Sequence, residues 1–130
     1  MPRRFYLAIR LDRASHGDSL VEALKAHGWE RTFDWTGNDS TIKEDLSRLA
    51  QAELAAIEQA DVLIVLLPGG RGTHVEIGAA LALGKPIILH APDRDTLEVP
   101  YPCAFHYHPA VKLLVSDPLD VDEIVQNLPS

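Results

Sequence analysis

The run Asp61-Val62-Leu63-Ile64-Val65-Leu66-Leu67 constrains the fold of this chain more than any other segment, because it is β-branched and leucine-rich and apolar on both faces. It is too short for most helices, and its pattern is that of a central strand in a parallel sheet covered on both sides. It runs directly into Pro68-Gly69-Gly70-Arg71-Gly72-Thr73-His74-Val75-Glu76-Ile77-Gly78-Ala79-Ala80. A glycine-rich turn therefore leaves the carboxyl edge of the sheet, where α/β folds place their ligands.

Each residue type in this loop has a physical reason to be there. Gly69, Gly70 and Gly72 are expected to supply positive φ and to let a ligand approach bare backbone. Thr73 is the expected N-cap of the following helix, which puts Glu76 in its first turn. There the helix dipole favours the ionised acid by about 0.3–1 kcal/mol, so Glu76 is expected to be a carboxylate at neutral pH and suited to act as a nucleophile. The spacing Thr73-x-x-Glu76 also matches a capping box, which gives the acid a purely structural role. Three glycines exceed what a cap requires. Gly78, Ala79 and Ala80 keep the helix slim for packing on the sheet, and Gly84 before Lys85-Pro86 stops it.

The remainder alternates strand and helix. Arg4 to Ile9 reads as a first strand, Asp18 to His27 as a helix stopped by Gly28, and Glu30 to Trp35 as a second strand. Gly37 to Ser40 is a turn, and Ile42 to Gln59 is a long helix with Leu46, Leu49, Leu54 and Ile57 at helical spacing. Pro86 to His90 is the next strand and Ala91 to Pro109, with its prolines, reads as a loop. Lys112 to Val115 is a fifth strand before a helix from Val121 to Leu128. This alternation predicts an α/β protein, a three-layer α/β/α sandwich of flavodoxin or Rossmann type around a mainly parallel five-stranded sheet.

Bulk properties narrow the function. The 130 residues fit one domain of common size. A formal charge of −7 argues against a nucleic-acid partner, which would require a basic face. The single cysteine, Cys103, excludes an internal disulfide. The N-terminus lacks the apolar run of a signal peptide and no stretch is long and apolar enough for a membrane span, so a cytoplasmic protein with no membrane partner is expected.

The segment from Ala60 to Leu67, the turn, Gly72-Thr73-x-x-Glu76-x-Gly78-x-Ala80 and Gly84-Lys85-Pro86-Ile87 together resemble the nucleoside 2-deoxyribosyltransferase family, which includes 2′-deoxynucleoside 5′-monophosphate N-glycosidases. The likeness is strongest from Asp61 to His90 and extends to Tyr6-Leu7-Ala8. It implies a single domain over residues 1–130 that acts on a small nucleoside or nucleotide, without a cofactor, as a homodimer or larger homo-oligomer. By this resemblance Glu76 is the nucleophile that attacks the anomeric carbon. A retaining glycosyl transfer also needs a group that helps the base leave. The resemblance places that group in the helix before the central strand, where Glu53 matches best and Asp45 is the alternative. It further implies a pocket built from Tyr6, Ala8, Arg10, Gly70, Gly72 and Thr73. Where family members carry another acid before the Glu, this chain has Gly70 and Arg71.

Three other positions attract attention. Ile9-Arg10 fits part of the family's phosphate-holding turn, and Arg10 with Arg13 is suited to an anionic 5′ group; solvated surface arginines are the alternative. Trp35, at the end of the second strand, is placed either to stack a nucleobase or to fill the core. His106-Tyr107-His108 puts two histidines on one strand face, too few for a metal, and no cysteine or acid is expected to complete a set. A non-catalytic nucleotide-binding module and an NAD glycohydrolase like the Toll/interleukin-1 receptor-like enzymes are the competing functional classes.

Overall fold

The structure, a computed structural model, describes residues 2–34 and 40–130. The strands are β1 (Arg4–Ala8), β2 (Glu30–Arg31), β3 (Val62–Leu66), β4 (Ile87–Ala91) and β5 (Val111–Val115). They form one parallel sheet in the order β2-β1-β3-β4-β5. The helices are α1 (Asp18–Ala26), α2 (Lys43–Gln59), α3 (Arg71–Ala82), α4 (Arg94–Glu98) and α5 (Val121–Gln126). Right-handed crossovers put α1 on one face of such a sheet and α2 and α3 on the other. The packing agrees: α2 lies against α3, and α1 against α5.

The three inner strands are buried almost throughout, as their sequence requires: Val62 to Leu66, Ile87 to Ala91 and Phe5 to Ala8 are all buried, and only Arg4 at the start of β1 is partly exposed. Parallel register aligns Tyr6 with Leu63 and Ala8 with Val65. The Asp61 carboxylate anchors that register by accepting a hydrogen bond from the Arg4 amide at 2.8 Å. At the carboxyl end of α2, Lys85 donates to the Glu58 carbonyl at 2.7 Å, a cation on the negative end of the helix dipole. Among the described residues no helix is long and apolar enough to cross a membrane.

The structure corrects several element boundaries. β2 pairs with β1 over only two residues: the Thr32 amide still donates to the Phe5 carbonyl at 2.9 Å, and past it the chain peels away from this sheet edge. Residues 32–34 are not strand, and Trp35 and the expected turn at 37–39 lie outside the described residues. The segment read as a continuous loop from Ala91 holds α4, capped by the Asp93 side chain on the Thr96 amide at 2.8 Å, and a 3₁₀ turn over Ala104–Tyr107. His106 and His108 therefore do not share a strand face.

The order 2-1-3-4-5 changes direction between β1 and β3. Chains leaving these two strands turn opposite ways at their carboxyl ends, and a crevice opens there.

Candidate active site

At that crevice lies an open cavity of about 230 Å³, lined by Ile9, Arg10 and Leu11 after β1, Glu53 of α2, and Gly70, Gly72, Thr73 and Glu76 of the loop and α3. Six residues expected from sequence thus converge: Arg10, Glu53, Gly70, Gly72, Thr73 and Glu76. Ile9 belongs to the Ile9-Arg10 edge expected from sequence, whereas Leu11 was not foreseen. Its signal was continuity, since any chain leaving β1 at the switch point must border the crevice.

α3 begins three residues earlier than an N-cap at Thr73 implied, because Gly70 takes the N-cap position. Thr73 is then the third helical residue, and its hydroxyl reaches back to accept the Gly70 amide at 3.3 Å. Glu76 consequently falls in the second turn, where the dipole acts weakly. The glycines also differ from expectation: among the described residues only Gly28 and Gly84 have positive φ. Gly69 is required for closeness, since a Cβ there would sit 2.6 Å from the Thr73 side chain. Gly72 faces open space, and a Cβ at Gly70 would meet only the Arg10 stem at 3.9 Å.

The buried residues of α3 are Thr73, Glu76, Ile77 and Ala80, one inward stripe at helical spacing. An acid occupies a position in this stripe where a hydrophobe would pack. Its partner is Tyr6, whose phenol donates to Glu76 Oε2. Tyr6 is fully buried, so its ring reaches the cavity only through this bond. Ala8, on the same side of β1, is also fully buried and does not line the cavity. Because the Glu76 side chain is engaged with Tyr6 and its position is past the first turn, it does not serve as the capping-box acid.

Burial dominates the electrostatics. It pushes the Glu76 carboxyl up to about 7, helped by the charge of Glu53 and opposed by the Tyr6 hydrogen bond. An ordinary ionised acid was expected here; desolvation outweighs the helix dipole. Burial also raises Glu53. Tyr6 is driven upward by burial and by the carboxylate beside it, which keeps its proton on the phenol at any physiological pH.

The two arginines part company. Arg10 at the cavity mouth is held by the Asp12 carboxylate at 2.7 Å and 3.0 Å. Arg13 instead lines a separate hollow with His16, His90 and Ser116. They do not form a joint anion site.

An open parallel sheet with a buried, hydrogen-bonded carboxyl at its switch point defines a Rossmann-like α/β protein with a small-molecule cleft. The chain belongs to the nucleoside 2-deoxyribosyltransferase family, whose sequence profile matches residues 5–123. Among solved structures, a CMP N-glycosidase from Clostridium botulinum is 25% identical, with a TM-score of 0.67 over 95% of this chain and 96% of that one. A 2-deoxyribosyltransferase from the psychrotolerant bacterium Bacillus psychrosaccharolyticus has the same fold at 19% identity, with a TM-score of 0.68 over 97% and 92%. One from Leishmania mexicana, also 19% identical, has a TM-score of 0.56 over 71% and 66%. No curated protein sequence shows a significant match.

Proposed function

We propose that this protein is an enzyme that cleaves the N-glycosidic bond of a nucleoside or nucleotide, or transfers the sugar across it, through a glycosyl ester on Glu76. The observation that carries this reading is the Tyr6–Glu76 pair: a carboxyl placed against the hydrophobic core at large cost, held by one buried donor, on a residue that lines the cavity. Family membership and the likeness to a CMP N-glycosidase support it.

In this mechanism the ionised Glu76 attacks the anomeric carbon. A carbon–oxygen bond forms as the carbon–nitrogen bond breaks, and the bonding pair leaves with the base. Glu53, whose carboxyl is shifted upward by its partial burial, serves as the general acid and gives a proton to the departing nitrogen. Tyr6 holds one carboxylate oxygen so that the other is aimed at the sugar, and its neutral phenol stabilises the charge on the nucleophile before attack. Water, or a second base, then takes the sugar from the ester and releases Glu76 as a carboxylate. Gly70, Gly72 and Thr73 border the sugar through their backbone, and an incoming 5′-phosphate competes with Asp12 for the Arg10 guanidinium.

The test is a screen of nucleosides, their 5′-monophosphates and NAD for base release by chromatography, with and without a second free base. Intact-protein mass spectrometry of quenched reactions should show a glycosyl adduct that Glu76→Ala lacks. A folded Glu76→Ala protein that turns over at the normal rate defeats the covalent mechanism, and a protein that binds nucleotides without turnover is a binding module.

A further inference from the structure

We propose that His74, His106 and Cys103 form a binding site for one divalent transition-metal ion of the zinc type, tying the active-site loop to the connection between β4 and β5. One nitrogen from each imidazole and the Cys103 sulfur all lie within 4.8 Å of one another. His74 comes from the first turn of α3, while Cys103 and His106 come from the entrance and body of the 3₁₀ turn thirty residues on.

The two imidazoles are spaced as ligands. Their Nε2 atoms face each other at 3.1 Å. Two nitrogens on one tetrahedral zinc, each about 2.0–2.1 Å from the metal, stand about 3.3 Å apart. Tutoring of the tautomer points the same way. His74 Nδ1 lies 2.9 Å from the Gly70 carbonyl, which can only accept, so Nδ1 carries the proton and the Nε2 lone pair faces the cluster. An imidazole that donates one nitrogen to a backbone carbonyl and offers the other is the usual second-shell arrangement of a metal-bound histidine.

His106 supplies the independent observation. Its ring is buried, at 5% exposure, and its Nδ1 has no partner. The contact with His74 is therefore the only polar anchor of this ring among the described residues. Coordination through Nε2 would replace this single polar contact by a metal bond, while Nδ1 faces away from the cluster without a protein acceptor. Two imidazoles and a thiolate suit zinc, cobalt, nickel or copper, whereas the harder magnesium and calcium prefer oxygen. Three protein donors leave a fourth position for water.

The placement gives the ion a consequence for the cleft. His74 follows Thr73 and holds the carbonyl of Gly70, and both of those residues border the cavity. Coordination would fix the near wall of the cleft against the 3₁₀ turn without contributing a group to the glycosidic chemistry.

Metal-free protein, kept reduced, is titrated with Co²⁺ and followed by absorption. The expected result is saturation at one equivalent, with the sulfur-to-cobalt charge-transfer band and the intense visible bands of a four-coordinate ion, and displacement by Zn²⁺. Cys103→Ser should remove the charge-transfer band, and His74→Ala should weaken Co²⁺ binding at least tenfold. Neither of these residues is fully buried, so both variants report on the site even if His106→Ala fails to fold. Absence of the band, or an affinity that Cys103→Ser and His74→Ala leave unchanged, overturns the proposal and assigns any bound cobalt to other histidines.

Discussion

Replacing Glu76 by Gln should abolish turnover and at the same time make the protein more stable. The native carboxyl titrates at about 7 because it is buried, whereas the ordinary value is 4.5. The sign follows from linkage: between those two values the unfolded chain loses a proton that the folded chain keeps, so stability falls as pH rises from 4.5 and levels off above 7. At pH 8 the ionised group costs the fold about 3 kcal/mol, and at pH 5 less than about 1 kcal/mol. Gln keeps the shape and an oxygen for the Tyr6 phenol but carries no charge. For a domain of this size each kcal/mol moves the melting temperature by roughly 3–5 °C, so Glu76→Gln should melt about 10 °C higher at pH 8 and only slightly higher at pH 5. Paired thermal melts at the two pH values, beside the base-release assay, measure both effects. A variant that melts below the parent at pH 8 would show that the carboxylate is structural. A variant that is more stable and still active would remove Glu76 from the chemistry.

Tyr6→Phe removes a hydrogen bond to a charged group, worth about 1.5–3 kcal/mol, so the acidic limb of the kcat/KM–pH profile should move upward by about 1–2 units; an unmoved limb means that the phenol does not set the ionisation of Glu76. Glu53→Gln should lower kcat by about 10²–10⁴, most severely for substrates whose bases leave poorly. Equal losses across all bases would exclude Glu53 as the acid. Gly69→Ala should destabilise the protein by about 1–3 kcal/mol because its Cβ collides with Thr73, whereas Gly72→Ala, with open space and a helical position, should be neutral or stabilising by up to about 1 kcal/mol. Urea unfolding of the two variants decides between these outcomes, and similar losses in both would refute the contact argument.

The inner strands announce themselves because burial on both faces leaves one solution, an unbroken apolar run, as in Val62 to Leu66. Glu76 was visible because a glycine-rich turn and an acid stand at a fixed distance after such a run. Its environment was not visible. The buried partner Tyr6 lies seventy residues away, and no local pattern reveals that an acid belongs to the inward stripe of a helix. β2 escaped accurate reading because an edge strand of two residues carries almost no period, and α4 because its flanking prolines resemble loop. The cluster of His74, Cys103 and His106 exists only in three dimensions: the 3₁₀ turn that replaces an expected strand face is what turns His106 toward α3.

Gly70 and Gly72 border the cleft, avoid the left-handed backbone region and meet no close neighbour. Neither position is therefore obliged to be glycine by the fold. A side chain introduced at either would grow into the cleft, leaving the sheet, the Tyr6–Glu76 pair and the Gly69–Thr73 contact untouched. The shape of the proposed site can thus change by single substitutions that the fold itself does not oppose. On the proposed function, a small library at these two positions tests whether a narrower or differently charged cleft changes which sugars are accepted.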